Sequence, residues 1–342
     1  MRIAVVASPV TPLRPAQLGG AQAFISDLAA GLARRGHDVV LHCAEGSECE
    51  GVRLATVPLP RDATQALVMP GGEEPPPAPG VEAALAGMFA SISAHGYDVV
   101  SQHAFDQAAF ELARDLPVLH TLHLPPIVKD VVRAAAAVPA PRLATVSHSC
   151  LAAWRAAGVA VGKVLPNGVA PLTPPSAPVD RVALVAGRIS PEKGIEHAIA
   201  AARQVGLPVR VAGAHYDPSY EIDLSGAALL GSLPREKLRM LMASSAVAIC
   251  AVRWDEPFGM VAAEAQMAGC PVAAYRRGAM TEVVEDGISG RLAEPDDVSS
   301  LAYAIEACLE LDRAAVRASA VRRLGLDSCL DDYEIAFEGA AG

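Results

Sequence analysis

The chain has 342 residues, enough for two domains with a core each, and at 52% hydrophobic and 19% charged residues it is globular rather than disordered. A net charge of −10 argues against a nucleic-acid partner, because phosphate backbones are held by clustered Lys and Arg. Seven scattered cysteines without a C-x-x-C pair exclude a disulfide framework and a zinc site and fit a reducing cytoplasm, and no apolar run reaches the ~18 residues of a membrane span.

Met1–Ala7 is too short for a signal peptide, and the apolar run Arg2–Ser8 reads as a first strand. A Pro/Gly loop, Pro9–Gly20, leads to an amphipathic helix over Ala21–Arg35, and Gly36-His37-Asp38 turns into a second strand, Val39–Cys43. This order opens a Rossmann-like domain. The first turn lacks G-x-G-x-x-G, so no nicotinamide or flavin cofactor is indicated. Gly19-Gly20 either lets a ligand approach the backbone or is a plain helix-start turn. Residues Arg61–Gly80, rich in Pro and Gly, read as an extended loop that either borders a pocket or simply connects.

Val81–His95 and Phe105–Asp115 read as helices, and Tyr97–His103 and Pro117–His123 as strands. His103 and His123 stand at carboxyl ends of strands, where ligands of open parallel sheets gather, while His120 alternates inward. A lone histidine is more often structural than catalytic. A strand over Leu143–Ser147 and a helix over Ser149–Gly158 follow. Pro166-Asn167-Gly168-Val169 then carries a turn signal, and Ala170–Pro178, with four prolines, has the composition of a linker.

The pattern restarts in the second half. A strand, Arg181–Ala186, leads through the loop Gly187–Gly194 to a helix, Ile195–Val205. Arg188 and Lys193 at this helix start either neutralise a diphosphate or form a solvated pair with Glu192 as partner. Strands are expected over Val209–Gly213, Leu229–Pro234 and Val247–Val252, and a helix over Arg235–Ala243. In W-D-E-P-F-G-M-V-A-A-E, Pro257 suits a first helical turn. The N–H groups of Phe258, Gly259, Met260 and Val261 would then lie at a helix N-terminus suited to an anion. Glu256 precedes this helix, and Glu264 is expected two turns inside it. The helix ends at Gly269, a strand resumes over Cys270–Ala274, and helices are expected over Val298–Leu311 and Arg313–Leu324. On spacing alone, an ordinary strand-loop-helix with two solvated glutamates is an equal reading.

E-P-F-G-x-x-x-x-E with the following G-x-P-V, together with G-R-x-x-x-x-K-G, P-N-G-V and P-V-L-H-T-L-H, resembles the retaining glycosyltransferases of family 4. The resemblance implies an α/β GT-B fold of two Rossmann-like domains facing each other across a cleft. Residues 1–170 would bind the acceptor, 171–325 the nucleotide sugar, and 326–342 would form a C-terminal helix crossing back to the first domain. It implies catalytic roles for His123, Arg188, Lys193 and Glu256, with His103 on the acceptor side. Gly19 and Gly20 would look onto the cleft. Gly187 and the N–H groups of Phe258, Gly259, Met260 and Val261 would hold the diphosphate, and turns near Gly213 and at Ser232-Leu233 the nucleoside. Glu264 would take the ribose hydroxyls. The family's Gly-Gly pair before Glu282 is replaced by Arg277-Gly278-Ala279-Met280, which leaves that loop's detail open.

No D-x-D occurs, so no metal and no cofactor are expected, only a sugar donor, with UDP as its default nucleotide. The resemblance implies retention of configuration. Without an identifiable carboxylate pair, the expected route is front-face displacement with the leaving phosphate taking the acceptor's proton. A small soluble acceptor and a cytoplasmic location without a membrane partner are expected. Overall likeness is to transferases of avilamycin-type antibiotic oligosaccharide assembly. The competing functions are an epimerase or phosphorylase on the same frame, and a nucleotide-sugar-binding partner subunit without turnover.

Overall fold

Ile3, Ala4, Val5 and Val6 are all fully buried, as a strand must be when both faces of its sheet are covered. The computed structural model describes residues 1–14, 19–67, 75–172, 178–215 and 220–341, residue 341 by its backbone only. Contacts divide the chain into two units, Met1–Arg14 with Ala21–Gly168 and Leu326–Gly342, and Pro15–Gly20 with Val169–Gly325.

The first unit runs β1 (Arg2–Val6), α1 (Gly20–Arg34), β2 (Asp38–Ala44), β3 (Arg53–Val57), α2 (Pro79–His95), β4 (Val99–Gln102), α3 (Gln107–Leu112), β5 (Val118–Leu122), α4 (Lys129–Ala136), β6 (Leu143–Thr145), α5 (His148–Ala156) and β7 (Lys163–Val164). These strands form a seven-stranded sheet in the order β3-β2-β1-β4-β5-β6-β7, with every pair parallel. The order reverses between β1 and β4, and such a switch point opens a crevice at the carboxyl ends of the strands. On one face Val81, Leu85, Met88, Phe89 and Ile92, spaced as one side of a helix, pack on Ala4, Val6, Val100 and Val118.

The second unit runs β8 (Asp180–Ala186), α6 (Ile195–Gln204), β9 (Val209–Ala212), β10 (Ala227–Gly231), α7 (Arg235–Ser244), β11 (Ser245–Cys250), α8 (Met260–Met267), β12 (Val272–Tyr275), α9 (Met280–Val283), β13 (Gly290–Ala293), α10 (Val298–Cys308) and α11 (Arg313–Leu324). Its six strands lie parallel in the order β10-β9-β8-β11-β12-β13. Ile195 and Ile199 of α6 and Leu301 and Ile305 of α10 share one core with Val185, Val211, Val247 and Ile249 of the strands. A last helix, α12 (Leu326–Ala341), belongs to the first unit. Its Tyr333 hydroxyl meets Thr121 Oγ1 of β5 at 3.1 Å, and Arg35 after α1 pairs with its Asp331 and Glu334 at 2.7 and 2.8 Å.

The expected α/β fold of two Rossmann-like domains is the observed one, with local differences. The strand β3 and the helices α4 and α9, with β13, add elements that the residue pattern did not announce. The helix expected to open at Pro257 starts at Met260 instead. Gly259 takes φ 96° as its N-cap, and the bend at Pro257-Phe258 precedes the helix. Glu264 therefore lies one turn inside α8, not two. The loop at 61–80 is not simply extended. It holds a 3₁₀ turn at Ala63–Ala66, and Gly80 N–H donates to Asp62 Oδ2 at 2.8 Å. Its centre, 68–74, and 173–177 of the proline-rich stretch lie outside the described residues.

Trp154 of α5 is fully buried and its Nε1–H donates to the Leu124 carbonyl at 3.0 Å. Trp154→Ala should lower unfolding free energy by about 3–5 kcal/mol in denaturant titration, through the cavity it leaves.

Candidate functional site

In the second unit the loops that leave the carboxyl ends of β8, β9, β11 and β12 carry the charged residues. After β8 the chain passes Gly187 and Arg188 into a 3₁₀ turn, Pro191–Lys193. Glu192 is buried there, and its Oε1 accepts from Ser190 Oγ at 2.6 Å and from an Arg188 nitrogen at 3.3 Å. Its backbone carbonyl accepts from Arg253 N–H at 2.8 Å. Glu192 therefore pins the loop and pairs with Arg188, while Lys193 turns elsewhere.

Lys193 Nζ donates to Glu256 Oε2 at 2.8 Å, and Trp254 Nε1–H donates to the same oxygen at 2.8 Å. The ammonium also lies 5.8 Å from the Trp254 ring centroid, within cation–π range. Both donors use Oε2, so Oε1 is left without a hydrogen bond among the described residues. An ammonium has three donors, and Glu256 engages one of those on Lys193. The side chains of Lys193 and Glu256 are 21% and 13% exposed, so the pair is not sealed from solvent. Burial pushes the Glu256 carboxyl up. The charge of Lys193, hydrogen bonds from Lys193 and Trp254, and the charge of Arg188 together outweigh that and hold it below its ordinary value. A depressed pKa contributes stability that is present above the ordinary carboxylate range and is lost as pH falls through the lowered value.

Close backbone packing sets this geometry. A Cβ on Gly213 would lie 1.7 Å from the Gly187 carbonyl oxygen, so the β8 and β9 loops touch only because residue 213 lacks a side chain. The turn after β12, where the family pattern was broken, contributes in the same way. Gly278 has φ 55°, its Cβ would fall 2.4 Å from Glu256 N, and Ala279 N–H donates to the Glu256 carbonyl at 2.9 Å.

The α8 N-terminus follows directly. The N–H groups of Met260, Val261 and Ala262 precede the first intrahelical bond, Ala263 to Gly259 at 3.1 Å, and the helix dipole adds partial positive charge there. Phe258 and Met260 are buried. Glu264 is buried, and its Oε1 accepts from Arg235 Nε at 2.6 Å. Arg235 opens α7, immediately after the turn that holds Ser232 and Leu233. Sequence reasoning missed Arg235 and Trp254. Trp254 was visible as the neighbour of Glu256, whereas Arg235 lies 29 residues from Glu264 and only the fold joins them.

The first unit gathers buried titratable groups at its strand ends. His103 Nδ1 and His123 Nε2 lie 2.9 Å apart, and Ser101 Oγ and His103 Nε2 2.8 Å. The two rings stack at 5.1 Å. Burial pulls His103 well below the ordinary histidine value, helped by His123 and His120, and brings His123 to about 4. His120 lies on the opposite face, stacked on Phe110 at 4.7 Å, and burial with Arg142 nearby brings it to about 3. At the β1/β4 switch, burial raises Asp106 to about 6 against a bond from Ser8 Oγ at 3.1 Å. Gly19 and Gly20 stand at the start of α1. Among the described residues no group of three or more His, Cys, Asp or Glu is placed to hold a metal ion, and no helix is long and apolar enough to cross a membrane.

Two outcomes follow from this packing. Gly213→Ala should cost about 1–3 kcal/mol in denaturant unfolding, because the β8 loop must move away. Lys193→Met removes the main opposing charge, so burial should carry the Glu256 titration above the ordinary carboxylate value. Carbon NMR of the carboxyl would show the reversal of sign, and an unchanged midpoint would mean that Lys193 does not hold it.

The comparisons with known proteins agree with this division. Residues 18–171 match the Glycosyltransferase Family 4 model, and residues 174–323 match Glycosyl transferases group 1. A D-inositol 3-phosphate glycosyltransferase of Geodermatophilus obscurus is 31% identical over 303 residues, 72% of this chain and 67% of that one. Glycogen synthase of Mycobacterium tuberculosis is 32% identical over 165 residues, 45% of this chain. The match spans 40% of that relative's length. Among solved structures, AviGT4, a glycosyltransferase involved in avilamycin A biosynthesis, aligns with TM-score 0.73 at 22% identity over 99% of this chain and 98% of its own. Anabaena HepE in complex with UDP-glucose aligns with TM-score 0.75 at 21% identity over 99% of each chain. The chain belongs to the glycosyltransferases, with a family 4 domain in its first half and a group 1 domain in its second.

Proposed function

We propose that the protein transfers a sugar, with retention of configuration and without a metal, from a nucleotide diphosphate sugar to the hydroxyl of a small molecule or oligosaccharide. One observation carries this reading. The Lys193–Glu256–Trp254 cluster keeps Glu256 Oε1 and two of the Lys193 donors available beside the N-terminus of α8.

Transfer breaks the bond between sugar C1 and a diphosphate oxygen. Negative charge grows on the leaving phosphate and positive charge on the ring. Arg188, Lys193 and the N–H groups of Gly259, Met260 and Val261 stabilise the first, as preplaced donors do at modest reorganisation cost. Glu256 Oε1 accepts from sugar hydroxyls. Glu264, oriented by Arg235, takes the ribose, and the turns at Gly187, Gly213 and Ser232-Leu233 hold the nucleoside. The acceptor oxygen bonds to C1 on the face the diphosphate leaves, and its proton passes to the leaving phosphate oxygen. The two cations take the role a divalent metal has in other transferases. The first unit takes the acceptor, with His123 as its catalytic side chain, and Gly19-Gly20 lets a ligand approach the backbone. A uridine nucleotide is the proposed donor, in line with the UDP-glucose bound by HepE. An antibiotic-type oligosaccharide is one acceptor of this class. Free cysteines throughout fit a cytoplasmic protein.

Calorimetric titration with UDP, dTDP, GDP and NAD, with and without magnesium, tests the donor site. One diphosphate should bind equally well in EDTA, and Arg188→Ala should abolish that binding. Glu256→Gln should keep nucleotide binding and cut transfer by about 10²–10³. Binding of NAD alone, or of none, would sink the proposal.

A further inference from the structure

At the carboxyl ends of β4 and β5 three side chains form a line of which the transferase chemistry uses only His123. Ser101 and His103 lie two apart on one face of the β4 strand and its extension, and His123 directly follows β5. The order is Ser101 Oγ, 2.8 Å, His103 Nε2, then His103 Nδ1, 2.9 Å, His123 Nε2. All three residues are buried, and Nδ1 of His123 is buried without a hydrogen-bond partner among the described residues.

Two proton arrangements satisfy both contacts. A neutral imidazole carries one N–H, so the position of that proton on His103 fixes everything else. If it sits on Nε2, His103 donates to Ser101, and His123 Nε2–H donates to His103. The Ser101 hydroxyl hydrogen is then buried without an acceptor, and His123 Nδ1 is an unused acceptor. If it sits on His103 Nδ1, Ser101 O–H donates to Nε2 and His103 donates to His123 Nε2. One orphan remains, an N–H on His123 Nδ1. Each buried orphan costs about 1–3 kcal/mol, so the second arrangement is favoured. Burial keeps both rings neutral, with His123 at about 4, so neither escapes the choice by taking a second proton.

We infer that Ser101 and His103 are positioning residues that fix His123 as an Nδ1–H donor for an oxygen of the acceptor that the first unit takes. The rings have little freedom to turn away. Phe24 of α1 lies 5.7 Å from His123, and Tyr333 of α12 6.3 Å from His103. A donor buried without a partner is destabilising until a ligand oxygen accepts from it, so the relay favours a hydroxyl-bearing or carbonyl ligand over an ammonium, which has no acceptor.

The inference rests on the transferase reading for its ligand, but not for its test. Nitrogen-15 NMR of ring-labelled histidine in the full chain reports each tautomer directly. The expected spectrum has the His123 proton on Nδ1. Ser101→Ala should redistribute that proton onto Nε2 in part, and should lower kcat/KM by about tenfold, the loss of one well-placed hydrogen bond. Ser101→Thr, which keeps the hydroxyl, should restore both. A His123 proton on Nε2 in the unaltered protein overturns the inference, as does Ser101→Ala with unchanged tautomer populations. If no donor sugar is turned over, the transferase reading fails while the tautomer spectrum still decides this one.

Discussion

A carboxylate held in a low-dielectric pocket must be compensated on the spot, and Glu256 is compensated by Lys193 and Trp254. That requirement draws separate chain segments together. The loop after β8 supplies Lys193, the loop after β11 supplies Trp254 and Glu256, and the turn after β12 closes on the Glu256 backbone through Gly278 and Ala279. Glu192 ties the first of these to the second through the Arg253 N–H. The pair is partly exposed, so its net worth to stability is smaller than its geometry suggests. Its larger consequence is availability. Because both donors converge on Oε2, the other oxygen and the remaining ammonium hydrogens are left for a ligand.

The two units solve the same topological problem with opposite electrostatics. Each is a parallel sheet whose loops gather at the carboxyl ends of its strands. In the second unit those loops and the helices that follow them carry Arg188, Lys193, Arg235, Glu256 and Glu264, charges that only mutual pairing keeps stable near the surface of a core. In the first unit burial forces His103 and His123 into their neutral forms. Charged donors suit a diphosphate, whose charge rises as the glycosidic bond breaks. Neutral donors suit hydroxyl oxygens, which need orientation more than neutralisation. The electrostatic difference between the two units is therefore set by solvation before any ligand arrives.

Much of this was legible in the residues. Apolar runs such as Ile3–Val6, bounded by glycine and proline loops, gave both sheets, and the Glu256–Glu264 and Arg188–Lys193 segments fall where the structure brings Lys193 onto Glu256. What escaped did so for physical reasons. The strand β3 is half-buried at a sheet edge, so its apolar signal is diluted. The helix start was misplaced because a proline rule was overridden by Gly259, which alone of its neighbours takes a positive φ. Arg235 and Gly278 owe their positions to tertiary packing, and no local pattern encodes them. The Ser101–His103 half of the relay was readable as two polar residues on one strand face. Its link to His123 depends on the register that sets Gln102 beside His120.

That register also gives α12 its place. Thr121 lies between His120 and His123 on β5 and shares the His123 face, so the Tyr333 hydroxyl that meets Thr121 brings its ring beside His103. Phe24 completes the enclosure, 5.9 Å from Tyr333 and 5.7 Å from His123. A cross-link between α1 and α12 follows from the same approach. A Cβ on Gly31 would lie 2.7 Å from Leu330 Cδ1, and Arg35 bridges Asp331 and Glu334 close by. The last helix is thus a wall of the histidine pair's surroundings and not an appendage to the fold. Rings locked by packing hold a hydrogen-bond donor at a fixed angle, and a donor that need not reorganise loses least when charge or a hydroxyl reaches it.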